Sequence, residues 1–220
     1  MSWAASFNDE EKIHYMDQRG ERNIGSDKRI LNGLIELIEK ADILVGHNID
    51  KFDRKKLNTR ALINSLNPIS KRRTVDTLKE AKKHFSMTSN KLEFLAKVLG
   101  LKNQKMKTKK FVGQELWTAC LNRNRDAWDE MELYNKMDVI VLKEVYKRLL
   151  PWNDTIEFSI YNDENSLLCG CGSTGFVDNG FSYQKRGIFR KKKCRKCGAN
   201  LTLSENLLSK DKKKLLRTGN

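Results

Sequence analysis

Four cysteines near the C-terminus fix one end of this fold. They come as two pairs, Cys169-Gly-Cys171 and Cys194-Arg-Lys-Cys197, while Cys120 stands alone. In a reducing compartment, clustered thiols are metal ligands before they are disulfides. Cys194-x2-Cys197 followed by Gly198 has the spacing of a zinc knuckle. Cys169-x-Cys171 is one residue short of it. The segment between the pairs carries Phe176, Val177, Phe181, Tyr183, Ile188 and Phe189. That is enough for a small β-ribbon but too little for a core of its own, so a structural Zn²⁺ held by Cys169, Cys171, Cys194 and Cys197 is expected. The composition changes at Pro151-Trp152-Asn153. The expected domains are therefore 1–152, a zinc ribbon at 153–203 and a basic tail, helical or extended, at 204–220.

The first domain reads as α/β. Trp3–Phe7 and Lys12–Met16 form a hairpin around the turn at 8–11. Ser26 or Asp27 caps a helix to about Lys40, with Ile30, Leu31, Leu34, Ile35, Leu37 and Ile38 at helical spacing. Ile43-Leu44-Val45, ending at Gly46, is a buried strand, parallel because it follows a helix. A helix begins near Asp53, and Arg73–Asp76 is a further short strand. Helices follow at Leu78–Phe85, Leu92–Leu99, Leu116–Asn122 and Ala127–Leu150. Asn90 with Glu93 is a capping box for the second of these, and Gly100 its stop. The pattern predicts a mixed sheet with flanking helices.

Lys and Arg number 43 against 28 Asp and Glu, a net charge of +15. Such a balance points to a polyanion, with nucleic acid first. Lys185, Arg186, Arg190 and Lys192 crowd the ribbon among its aromatics, where they can clamp phosphates while the rings stack on bases. The alternative is a solvated basic face. A second basic stretch, Lys102, Lys105, Lys107, Lys109 and Lys110, either tracks a backbone or is a soluble loop. No apolar run is long enough to span a membrane, no signal peptide is evident, and a cytoplasmic location is expected.

Two carboxylates stand out. Asp53 follows the buried strand through Gly46-His47-Asn48-Ile49-Asp50-Lys51-Phe52, near a strand's carboxyl end, where α/β sheets place their sites. Read alone, it is a ligand or a helix cap. Tyr134 and Asp138 are four residues apart and share a helix face. Val139-Ile140-Val141-Leu142 follows, so Asp138 needs a partner, either a cation or a lysine.

Gly46-His47-Asn48 with Phe52-Asp53, followed by the distant Tyr134-x3-Asp138, resembles the DEDDy-type 3′–5′ exonucleases, which have an RNase H-like fold. Thr74-Val75-Asp76-Thr77-Leu78, Ser89-Asn90-Lys91-Leu92, Gly113-Gln114-Glu115-Leu116-Trp117 and Leu150-Pro151-Trp152 are similar to a bacteriophage and bacterial subgroup with a C-terminal zinc ribbon. The resemblance covers nearly all of residues 2–200. It implies hydrolysis of single strands or 3′ ends, of DNA by expectation, with two Mg²⁺ or Mn²⁺ ions about 4 Å apart. It implies Asp53 and Asp138 as ligands, Tyr134 as the residue that orients the attacking water, and Asn48 and Phe52 around the terminal nucleotide. Asp76, which follows a strand, is read first as structural and second as a support of the site.

The family's first motif, Asp-x-Glu, belongs to a central strand before the hairpin, and this sequence opens inside the hairpin at Met1-Ser2-Trp3. Asp9 and Glu11 have the spacing but fall in the turn. Two of four ligands are thus expected to be missing, and flanking strands to lose ladder partners at about 1–3 kcal/mol per buried unpaired amide. A shortened gene product, a strand supplied by another polypeptide, and a non-catalytic nucleic-acid-binding descendant all stay open.

Overall fold

A computed structural model describes residues 1–7, 10–104 and 110–216. Asp9 and the lysines at 105, 107 and 109 lie outside the described residues. The chain divides into two compact units, Met1–Arg148 and Leu149–Asn220.

In the first unit, β1 (Ser2–Ala5) and β2 (His14–Asp17) pair antiparallel, with Trp3 opposite Met16. The second strand begins two residues later than its apolar pattern suggested. Trp3 explains why this register is held. Its ring is buried and its indole Nε1 donates to the Ile30 carbonyl (2.7 Å), so one side chain satisfies both its apolar body and its polar tip. Ile30 belongs to α1 (Lys28–Glu39), whose Ile30, Leu31 and Ile38 turn inward at helical spacing.

β3 (Ile43–Gly46) is followed by α2 (Asp53–Ile63) and then β4 (Arg73–Asp76), which pairs parallel to β3 with Gly46 opposite Asp76. The strands therefore make two separate two-stranded sheets, not one mixed sheet. No strand among the described residues joins β1 or β2 to β3 or β4.

α3 (Thr77–His84), α4 (Leu92–Val98), α5 (Gln114–Leu121) and α6 (Arg125–Leu149) complete the unit. The capping box expected of Asn90 and Glu93 is not formed. Lys91 occupies the cap position without a side-chain bond, and Ser89 Oγ accepts from the Lys91 amide instead (3.3 Å). Gly100 does end α4. Its amide donates to Lys97 O and that of Leu101 to Ala96 O, which satisfies two carbonyls of the last turn. Leu116 and Cys120 of α5 pack with Ala127, Trp128 and Met131 of α6 in a buried cluster, so Cys120 is core. The hairpin is tied to α6 by Arg19, which bonds Asp17, Asp129 and Glu132, each at 2.7 Å, and by Asn135 Nδ2, which donates to Ser2 Oγ (3.2 Å).

In the second unit, β5 (Phe176–Gln184), β6 (Gly187–Cys194) and β7 (Asn200–Asn206) form an antiparallel sheet in that order. β7 runs past residue 203 into the segment read as tail, and α7 (Lys210–Lys214) follows. Among the described residues no helix is long and apolar enough to cross a membrane.

Candidate functional site

The turn leaving β3 carries Asn48, Phe52 and Asp53, and Asp76 builds it. Asp76 ends β4 and is 4% exposed. Its Oδ1 accepts from the Asn48 amide (2.8 Å) and from the Leu78 amide at the start of α3 (3.1 Å), while Oδ2 receives the Asp50 amide (3.5 Å). One carboxylate thus caps a helix and gathers the neighbouring loop. Asn48 takes φ +68°, a left-handed conformation that asparagine tolerates. Gly46 is needed beneath it, because a Cβ there would lie 2.6 Å from Ile49 Cβ.

Thr77 and Asp50 add further pins. Thr77 Oγ1 donates to Gly46 O (3.1 Å) and so must accept from His47 Nδ1 (2.9 Å). This makes His47 a structural residue, with its proton on Nδ1. Asp50 is held by Lys79 (2.6 Å), Thr74 (2.8 Å) and Arg54 (3.2 Å). Burial pushes the Asp50 carboxyl up, but Lys79, Thr74 and Arg54 outweigh burial and hold it below the ordinary range.

Asp53 contrasts with Asp50. It is the first residue of α2; Phe52 holds the cap position and makes no side-chain bond there. Although the residue has exposed surface, crowding around its carboxyl desolvates it and raises its pKa. The charge of Asp76 adds to the rise, and Asp53's own amide offsets part of it. Among the described residues no cationic side chain contributes to this balance. A hard cation would offset the rise. Phe52 beside it is 62% exposed, an aromatic with little packing role.

Tyr134 and Asp138 lie one turn apart on α6 and both are half-buried. That stretch faces the hairpin: Asn135 reaches Ser2, and Lys136 Nζ lies 5.8 Å from the Tyr15 ring centre. Among the described residues neither Asp53 nor Asp138 belongs to a cluster of three or more Cys, His, Asp or Glu ligand atoms. Sequence reasoning put a structural role for Asp76 first, and its three amide bonds agree, but the partners were not legible. Its backbone partner Asn48 is 28 positions away, and nothing in local spacing signals that bond.

In the second unit the four cysteines converge, with all sulfurs within 4.8 Å of one another. Cys169 Sγ is 3.5 Å from Cys197 Sγ, and Cys171 Sγ is 3.7 Å from Cys194 Sγ. Four thiolates around one zinc, each Zn–S bond ~2.3 Å, stand about 3.8 Å apart, so the donor set fits that ion. The short Cys-x-Cys spacing is no obstacle. Gly172 (φ +78°) and Gly198 (φ +79°) turn the chain back under each pair, with the Gly172 amide on Cys169 O and the Gly198 amide on Cys194 O. Burial raises the Cys194 thiol, but the amides of Cys197 and Lys196 and the neighbouring thiols overcome it and bring it down to about 6.

The basic ribbon residues separate by position. Lys185 and Arg186 are exposed in the turn between β5 and β6. Arg190 is exposed on β6, and Lys192 is half-buried and paired with Asp178 (2.9 Å).

Comparison with known proteins gives two results. A family model described as the RNase H superfamily matches residues 3–150. No curated protein matches the chain significantly.

Proposed function

The chain belongs to the RNase H superfamily, and from that premise we propose that it is a metal-dependent 3′–5′ exonuclease of the DEDDy type, with DNA as its expected substrate. A nuclease-type fold is what the family supplies. The observation that supports the finer reading is the turn after β3, where Asp76 accepts the Asn48 amide (2.8 Å) and Asp53 opens α2.

In this reading Asp53 and Asp138 hold Mg²⁺ or Mn²⁺, which when bound supplies Lewis-acid chemistry to a phosphodiester. The chain's own residues do the rest. The Asp76-pinned turn fixes where Asp53 and Asn48 stand. Phe52 offers its exposed ring to the terminal base. Tyr134, one turn from Asp138, orients water towards phosphorus through its hydroxyl. The ribbon, with a structural Zn²⁺ on its four cysteines, grips substrate through Lys185, Arg186, Arg190 and Lys192.

The test is digestion of a 3′-labelled single strand with Mg²⁺ or Mn²⁺. Asp138→Asn is expected to abolish metal-dependent shortening. A mutant that digests as fast as the unmodified chain would falsify the site assignment.

One observation favours a second reading. The β1–β2 and β3–β4 pairs are not joined by any strand among the described residues. A catalytically impaired nucleic-acid-binding protein, or a subunit whose sheet another polypeptide completes, would fit that. Fusing or adding a strand that carries Asp-x-Glu separates the readings. Activity that appears only then supports the completed nuclease; retained binding without activity in either form supports the binding protein.

A further inference from the structure

The ribbon sheet presents aromatic rings to solvent on the same face as its cations. Phe181 and Tyr183, two apart on β5, point to one side. They are 45% and 76% exposed. A sheet in so small a unit would normally turn such rings inward, because burying an aromatic ring stabilises the fold more than leaving it in water. Register identifies their neighbours. Phe181 stands opposite Arg190, and Tyr183 opposite Ile188. Lys192 follows on the same face of β6, two residues beyond Arg190. The Arg190 guanidinium lies 5.9 Å from the Phe181 ring centre, so ring and cation are held as one surface. The unit's own small core, Cys169, Cys194 and Ala199 with Phe176 against them, lies further along the hairpin, where Phe176 stands opposite Cys194.

We propose that this face of the β5–β6 hairpin is a base-stacking platform for single-stranded nucleic acid, with Phe181 and Tyr183 under successive bases and Arg190 on the backbone between them. The inference rests on the nucleic-acid reading above but not on hydrolysis. Three features select the occupant. Lys192 is neutralised by Asp178, but Arg190, with Lys185 and Arg186 exposed at the hairpin turn, favours a polyanion. The open ring faces demand unpaired planar groups, which a duplex keeps inside its stack. The rings are about 6.8 Å apart along the strand, which leaves room for two separate bases rather than one. An acidic peptide would satisfy the charge but leave Tyr183 unused.

Fluorescence anisotropy of an end-labelled oligothymidylate with the full chain, without added Mg²⁺ or Mn²⁺, tests this independently of catalysis. Tyr183→Ala is expected to weaken binding about tenfold with little change in salt dependence, and Tyr183→Phe to restore it. Arg190→Gln is expected to reduce the salt slope by about one unit. A matching duplex should bind more weakly than the single strand. The proposal is overturned if Tyr183→Ala binds like the unmodified chain, or if duplex and single strand bind alike. Asp138→Asn should leave this binding intact, so loss of activity in that variant and loss of stacking in Tyr183→Ala are separate failures. Tyr183 is largely in solvent, and an unchanged thermal midpoint in Tyr183→Ala will show that the sheet still folds.

Discussion

Two neighbouring aspartates illustrate how context divides labour among identical residues. Asp50 has three side-chain partners and is held below the ordinary carboxylate range, whereas desolvation and the charge of Asp76 push Asp53 above it. The first is a fastener and the second is available for a ligand. Asp76 builds the turn around them, since its carboxylate accepts three backbone amides. Asp76→Ala leaves those amides without their acceptor and is expected to lower unfolding free energy by about 2–3 kcal/mol, read from urea melts. Metal-dependent activity should fall with it, because Asn48 and Asp53 lose their anchor. The position of Asp53 at the start of α2 was legible in the sequence because a strand, a glycine and a helix start bracket it. Asp76's full role was not, because its partners are main-chain atoms brought close only by the β3–β4 pairing.

At the scale of elements, helices were read well and their ends less well. Periodic apolar residues located α1 and α6, and Asp27 is the α1 cap residue, but the α4 capping box is not formed, with Lys91 at the cap position. Asp27 stands at the α1 cap position, yet its carboxylate bonds Arg60 (2.5 and 2.7 Å) and Asn64 (2.8 Å) of α2 rather than helix amides. The residue is 2% exposed. Burial alone would raise its pKa; Arg60 and Asn64 prevail and lower it. A depressed folded pKa means that this clasp contributes its stability above the unfolded value of ~3.9 and loses it as pH falls through the folded one. Arg60→Ala strands the carboxylate and should cost about 3 kcal/mol near neutrality. The sign of the pH effect should then reverse: with burial unopposed, acidification through the carboxylate range should narrow the gap to the parent chain in paired urea melts at neutral and acid pH.

At the scale of the whole molecule, two compact units have different sources of stability. The first has helices packed through buried side chains such as Leu116, Trp128 and Met131. The second has a three-stranded sheet and a core that is largely its own cysteines, so metal binding and folding are expected to be one event there. Zinc chelation should abolish the β-sheet signal of the second unit while the helical circular dichroism of the first persists, and oligonucleotide affinity should fall in the same titration. The two separate sheets of the first unit were not legible, because a strand's apolar pattern specifies that it pairs, not with what. The convergence of the thiols has a consequence for the history of a sample. Without a bound ion the segment is expected to unfold, and Cys169, Cys171, Cys194 and Cys197 are then open to oxidation by dioxygen to disulfides. Protein that has met air in the metal-free state should refuse zinc until a thiol reductant is supplied, so the ribbon would keep a record of oxidation that refilling with metal alone does not erase.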